Sequence, residues 1–419
     1  MILLRSAAFR RLWYSSLAAS SAQAMERTAT AWLILETGGG AVAVGLAFAA
    51  RMLPSLLLGL AAGTLADRSD RPRQLLAVAA AAFFLMVAFG WLIGSSALQV
   101  WQVIAFSFAA GCVQVFDTPA RQALVLDIVA RETAPRALAL NALGTRIVFA
   151  LGAFAAGMLI PLVGIARCYL LIAVAYGLAA GLVATLRVSQ EHRTLVKPLP
   201  FAQAFQEASR LILTVPALRL LIVAGLVCEV FAFSHGSALP FLAQDVLAAG
   251  AEGLGTLNAA GSVGGAIAVL LLTLLPGQRW RQPLLGAVFL IYGLAIVGLA
   301  TTRALLAAAS VMVVIGMCAA AFDVLQQTLI QMAVPTEQRG RAVGLWVFSI
   351  GSAPVGHLEM GVLISALGVP LSLLINGTLT IIAAVTLLAR APAYRWRPGA
   401  APTSPYVNKH ERFANARVA

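Results

Sequence analysis

Charge is what this sequence lacks. Only 11% of its 419 residues are Asp, Glu, Lys or Arg, against about a quarter in soluble globular domains, so a water-soluble globule is excluded. Cysteine is scarce as well: Cys112, Cys168, Cys228 and Cys318 stand far apart, without C-x-x-C or metal-ligand spacing, and read as small buried hydrophobes. Neither H-E-x-x-H nor the phosphate-cradling G-x-x-x-x-G-K-[ST] occurs, so no metalloprotease, ATP-hydrolysing motor or cofactor is expected.

What is present is apolar. Hydrophobic residues make up 61% of the chain and the mean hydropathy is +0.91. Apolar runs recur at about the 20-residue length that carries an α-helix across a bilayer. They are apolar all round instead of alternating with polar residues, which excludes a β-barrel and predicts an all-α membrane protein. The expected spans are 12–35, 42–65, 75–94, 100–126, 138–160, 165–186, 217–241, 253–275, 283–301, 304–332, 342–366 and 370–390. Ser15, Ser16, Ser20 and Ser21 make the first stretch too polar for a signal-peptide core, so it is kept as a span.

Orientation follows from the basic residues, which stay cytoplasmic when they flank spans. One set of loops holds Arg10, Arg11, Arg68, Arg71, Arg73, Arg131, Arg136, Arg187, Arg193, Lys197, Arg279, Arg281, Arg339 and Arg341; the other offers Arg167 and Arg303. Both termini are therefore expected on the cytoplasmic side of a bacterial inner (plasma) membrane. The formal charge of +13 is accounted for by this topology and by anionic headgroups, and nucleic acid is not an expected partner. The expected partners are the bilayer and a small-molecule substrate, with the protein a monomer.

An internal repeat organises the chain. Phe116-Asp117, Glu132 and Arg136-Ala137 are matched by Phe322-Asp323, Glu337 and Arg341-Ala342 at an offset of about 205 residues, and Arg73-Gln74 by Arg281-Gln282. Two six-helix halves, 1–188 and 217–392, are expected, joined by a linker at 189–216 with a short amphipathic helix and followed by a basic, partly disordered tail at 393–419. An even number of spans per unit gives the halves the same orientation, with a substrate site near midplane between them.

The loop after the second span reads Gly63-Thr64-Leu65-Ala66-Asp67-Arg68-Ser69-Asp70-Arg71-Pro72-Arg73. It resembles the G-x-L-A-D-R-x-G-R-R signature of the major facilitator superfamily at the same topological place. Asp117-Thr118-Pro119-Ala120-Arg121, Leu239-Pro240-Phe241-Leu242-Ala243, Arg339-Gly340-Arg341-Ala342 and Gly351-Ser352-Ala353-Pro354 are similar to the drug, macrolide and siderophore exporters of that superfamily. The resemblance implies two pseudo-symmetric bundles, twelve transmembrane helices in all, and a gating role for Gly63, Asp67, Arg68 and Arg71, with Asp67 docking between the halves. Asp70 and Pro72 depart from the signature, and Phe149-Ala150 replaces the Gly-Pro common in the fifth span of this branch.

Charges inside spans cost roughly 2.5–3.5 kcal/mol at the bilayer centre unless they face protein or water. Gln23, Glu26, Arg27 and Thr30 fall at i, i+3, i+4 and i+7 on the first span, one polar face towards a cavity. Gln114, Asp117, Thr118 and Arg121 repeat the spacing on the fourth, and Asp323, Gln326 and Gln327 follow it on the tenth. Arg51, Arg146 and Glu229 add charges to the second, fifth and seventh spans. Candidate proton carriers are Glu229 first, then Glu26, Asp117 and Asp323; candidate cavity residues are Gln23, Arg27, Thr30, Arg51, Arg146, Gln326 and Gln327. Asp117 with Arg121, and Glu26 with Arg51, are equally well read as structural ion pairs. Gly59 with Gly63, and Gly261 with Gly264 and Gly265, are expected at tight helix crossings.

With no ATPase, energy must come from an ion gradient: a proton crossing 100 mV supplies about 2.3 kcal/mol, enough for roughly a fifty-fold substrate gradient. The expected activity is proton-coupled export of an amphipathic small molecule, drug-like or siderophore, by alternating access. Uptake of a small organic anion, with Arg27, Arg51 and Arg146 as ligands, and a non-transporting membrane sensor are the alternatives.

Overall fold

A helix that crosses lipid must satisfy its backbone internally, and its ends are set by residues that cap the free N–H groups. The structure, a computed structural model, describes residues 6–95, 98–130, 132–186, 212–274, 280–334 and 338–390, except for the side chains at 60, 64, 67, 68, 339–341 and 343. The expected linker helix and basic tail lie almost wholly outside the described residues.

The first six helices are α1 (Ala7–Glu36), α2 (Ala41–Arg68), α3 (Arg71–Gly94), α4 (Val100–Ile128), α5 (Ala134–Val163) and α6 (Ile165–Ala184). The seventh span is composite: α7 (Pro216–Val227), a π-helical turn at Cys228–Ala232, α8 (His235–Phe241) and a second π turn at Leu242–Val246. After it come α9 (Gly250–Leu274), α10 (Arg281–Thr301), α11 (Leu305–Met332), α12 (Arg339–Ile350) and α13 (Ala353–Arg390). α13 is two spans in one, because Gly368 at φ 76° breaks it in a conformation that glycine adopts without a Cβ penalty.

Ten helical stretches among the described residues are long and apolar enough to cross a membrane. α1 falls short of that hydropathy because of its serines and charges, yet its 30 residues reach about 45 Å. With α1 included and α13 split at Gly368, the chain is an all-α membrane protein of twelve passes, as expected.

The departures at Asp70 and Pro72 acquire a physical reason here. Asp70 is the N-cap of α3, its carboxylate accepting from the Arg73 N–H at 3.2 Å, and Pro72 lies in the first turn, where its missing N–H costs nothing. They make a strong helix start instead of a flexible turn.

Packing repeats between the halves. α1 lies on α5, α2 on α4, α3 on α6 and on α4; in the second half the seventh span lies on the front of α13, α9 on α11, and α10 on the back of α13 and on α11. These are the same pairings with six added to each span number. The halves meet through α2 with the front of α13 and α5 with α9, which exchange under the same renumbering.

These cross-half contacts lie at the end of the bundle that holds the α1–α2 turn. A Cβ on Gly361 would sit 2.7 Å from the Ala41 carbonyl, one on Gly157 2.7 Å from that of Ala251, and one on Gly45 would collide with the His357 carbonyl. At the other end, Gly59 and Gly63 on α2 and Gly344 on α12 have no heavy atom of the described residues within 4 Å of a Cβ position. Gly59 and Gly63 therefore face open space, correcting the expectation of a tight crossing. Gly261 and Gly264 do mark one, against Gly316 and Val313 of α11.

Candidate functional site

Between the halves lies a cavity of about 560 Å³, lined by the middle portions of α1, α2 and α5 on one wall and of the seventh span, α9, α11 and α13 on the other. Gln23, Glu26, Arg27, Thr30, Arg51, Arg146, Glu229 and Asp323 all line it, so helical spacing on separate spans converges on one chamber.

The first wall divides its charges unequally. Glu26 is buried at 1% exposure, and its Oε1 accepts from Arg51 Nη1 at 2.7 Å and from the Thr30 hydroxyl at 3.3 Å. Thr30 also lies 2.7 Å from the Tyr169 hydroxyl, which stands among Phe89 and Phe106. Glu26 and Arg51 are thus an ion pair, although Glu26 Oε2 is buried without a partner among the described residues. Arg27 is exposed to the cavity, with its guanidinium 5.7 Å from the Phe149 ring centroid, within cation–π range. Arg146 reaches from α5 to Gly265 of α9, 2.7 Å from where a Cβ would be.

The opposite wall is acidic. Glu229 sits in the first π turn, a distortion that recurs at functional positions because it displaces a residue from the regular ladder. Neither Glu229 nor Asp323 makes a hydrogen bond or ion pair among the described residues, and each lies within electrostatic reach of the other. Arg146 lies within reach of Asp323. His235 and His357 also face the cavity: His235 Nδ1 is 2.7 Å from the Ala232 carbonyl, His357 Nδ1 is 2.7 Å from Ser237 Oγ, and Phe48 of the first wall lies against the His357 ring at 5.1 Å.

This geometry decides one open reading and corrects two expectations. Asp117 is held by Arg121 in a two-pronged pair, Nη2 to Oδ1 at 2.6 Å and Nε to Oδ2 at 2.8 Å, and Arg121 further donates to Ser15 and Ser16. The pair lines a space of about 190 Å³ inside the first half, which shares Ser20, Gln23, Arg51 and Thr145 with the larger cavity, and it braces α4 against α1. Gln326, 2% exposed, donates to the Leu221 carbonyl at 2.9 Å and ties α11 to α7. Gln327 is not among the residues lining the cavity either.

Of the gating-loop residues, the side chains of Asp67 and Arg68 lie outside the described residues. Arg71 is buried at the α2–α3 turn, donating to the Ala66 and Ala123 carbonyls and to both oxygens of Asp127 at 2.8 Å. Asp127 was invisible as a site residue because the fourth span was expected to end at 126, one position short.

An all-helical membrane bundle that holds a polar chamber between two equivalent halves is a transporter of the major facilitator fold. A family model described as transmembrane secretion effector matches residues 2–409, and the chain belongs to that family. It is 23% identical over 360 residues, 84% of this chain and 88% of the other, to the staphyloferrin A transporter of Staphylococcus aureus (strain NCTC 8325 / PS 47). Among solved structures it is similar to a bacterial homologue of the human lysosomal transporter Spinster in an inward-facing, unoccupied conformation, with a TM-score of 0.70, 14% identity and coverage of 94% of this chain and 99% of that one. It is likewise similar to the nucleoside transporter NupG, with a TM-score of 0.72, 9% identity and coverage of 93% and 99%. It is therefore a non-enzymatic, multi-pass membrane protein that acts on small molecules.

Proposed function

We propose that the protein is a secondary exporter of amphipathic small molecules, drug-like or siderophore, which it moves by alternating access in exchange for protons, with no cofactor and as a monomer. The observation that carries this reading is the shared cavity with Glu229 and Asp323 on its wall, two carboxyl groups without a counter-ion at hydrogen-bond distance among the described residues. Such groups can bind a proton or a donor on the substrate but not both, and that competition is what exchange requires. The similarity to a siderophore transporter of S. aureus supports the substrate class. With the arginine-rich loops and both termini in the cytoplasm, the contacts at Gly45, Gly157 and Gly361 close the outer end and the cavity opens inward, ready to load.

Inverted membrane vesicles test the reading. Acidifying their lumen is expected to drive uptake of at least one compound from a panel of siderophores, macrolides and cationic dyes, and Glu229→Gln is expected to reduce that uptake tenfold or more. No driven uptake across the panel would overturn export; unchanged uptake in Glu229→Gln would remove the carrier assignment. Accumulation of an organic anion by whole cells expressing the protein would favour import instead, with Arg27 as ligand.

A further inference from the structure

Arginine keeps its charge at every working pH, while a carboxyl group can shed its own by taking up a proton. The permanent charges facing the cavity are therefore Arg27, Arg51 and Arg146. Arg51 is spoken for by Glu26 at 2.7 Å. Arg146 is drawn across to α9, on the side of Asp323. Arg27 makes no hydrogen bond or ion pair among the described residues; its guanidinium lies 5.7 Å from the Phe149 ring centroid and lines the chamber, so its fork of N–H donors has no partner there. On the facing wall Glu229 is likewise without a partner, at 8% exposure. An unmatched cation on one half and an unmatched carboxylate on the other, both lining one cavity, are a heavy electrostatic cost for an empty site and a complement to a ligand that carries both signs.

We propose that the substrate is amphoteric: an oxyanion, such as a carboxylate, is held by Arg27 of the first half, and a protonated amine at its other end by Glu229 of the second. This rests on the cavity being the transport site, and it explains how one site serves exchange. The amine takes the place of the proton on Glu229, while the oxyanion fixes the molecule through a planar, two-pronged contact and its apolar body lies along Phe149. Because the two ends are gripped by different halves, the bound molecule draws the walls together.

Binding to purified protein in detergent, followed by isothermal titration, tests this with three matched probes: 4-(aminomethyl)phenylacetate, its methyl ester and its N-acetyl derivative. The free amino acid is expected to bind at least tenfold more tightly than either blocked form. Arg27→Gln should abolish its advantage over the ester and keep its advantage over the N-acetyl form; Glu229→Gln should do the reverse, and Arg27→Lys should restore part of the first. Equal binding of the three probes, binding of none of them, or loss of both preferences in each single variant would overturn the proposal. Thermal melts of the three variants identify any that has lost its fold, and Phe149→Leu, which keeps the charge and removes the ring, should weaken all three probes alike. These are equilibrium measurements in the absence of a gradient, so the crossed pattern can hold even if vesicles show no export, and export can hold where the pattern is absent.

Discussion

A valine at position 157 is expected to hold the two halves apart at the end where they now touch, and to reduce transport at least tenfold. Gly157 of α5 meets α9 so closely that a Cβ would lie 2.7 Å from the Ala251 carbonyl and 2.8 Å from the Gly255 Cα. Backbone is the obstacle on both sides, so no side chain can swing away, and overpacking of this kind costs about 1–3 kcal/mol. The two conformers of a transporter differ by only a few kcal/mol, so the penalty is large enough to invert their populations. Spin labels at Val42 on α2 and Val362 on α13, both exposed and adjoining the Gly361 contact, should move apart in Gly157→Val; Gly59→Ala, at a position with open space around it, should leave their separation unchanged. An unaltered separation in Gly157→Val with transport intact would mean that this contact is not part of the cycle.

Arg51→Met is expected to be the most destabilising single change in the cavity wall. It strands Glu26, which is 1% exposed and already carries one oxygen without a partner; removing one member of a buried pair costs about 3–5 kcal/mol. The double variant Arg51→Met with Glu26→Gln removes both charges and should recover part of the loss, because no uncompensated charge is then left buried. Thermal denaturation in detergent reads this directly. If the single and double variants melt together, the pair contributes no more than two separate side chains.

How much of this was legible beforehand depended on how far each feature reports itself locally. The spans were, because the cost of unpaired backbone in lipid forces long apolar runs, and the duplication was, because Asp117 and Asp323 carry its offset in sequence. The polar stripe at Gln23, Glu26, Arg27 and Thr30 was legible by the same logic, since 3.6-residue spacing places those side chains on one face whatever they pack against. Partnership was not. Glu26 with Arg51 and Asp117 with Arg121 were open between pair and free charge, and only three-dimensional distances decide that. Gln326 shares the polar spacing of Asp323, yet its side chain turns into the crossing with α7, and Gln327 does not line the chamber. His235 stands six positions after Glu229, on a different face by regular α-helical counting; the π turn at Cys228–Ala232 changes the count, and both line the cavity. Nothing in the residues Cys228–Ala232 announces that turn.

The same two π turns make the seventh span a rod with slack in it. Each holds one residue more than the regular spiral needs, so rewinding either into α-helix would rotate the segment beyond it by about 100° without unravelling its ends. For Glu229 such a rotation is the difference between facing the chamber and facing its neighbours in the second half. A carboxyl group mounted in this way can change its surroundings through a local twist, before or without the larger swing of one bundle against the other.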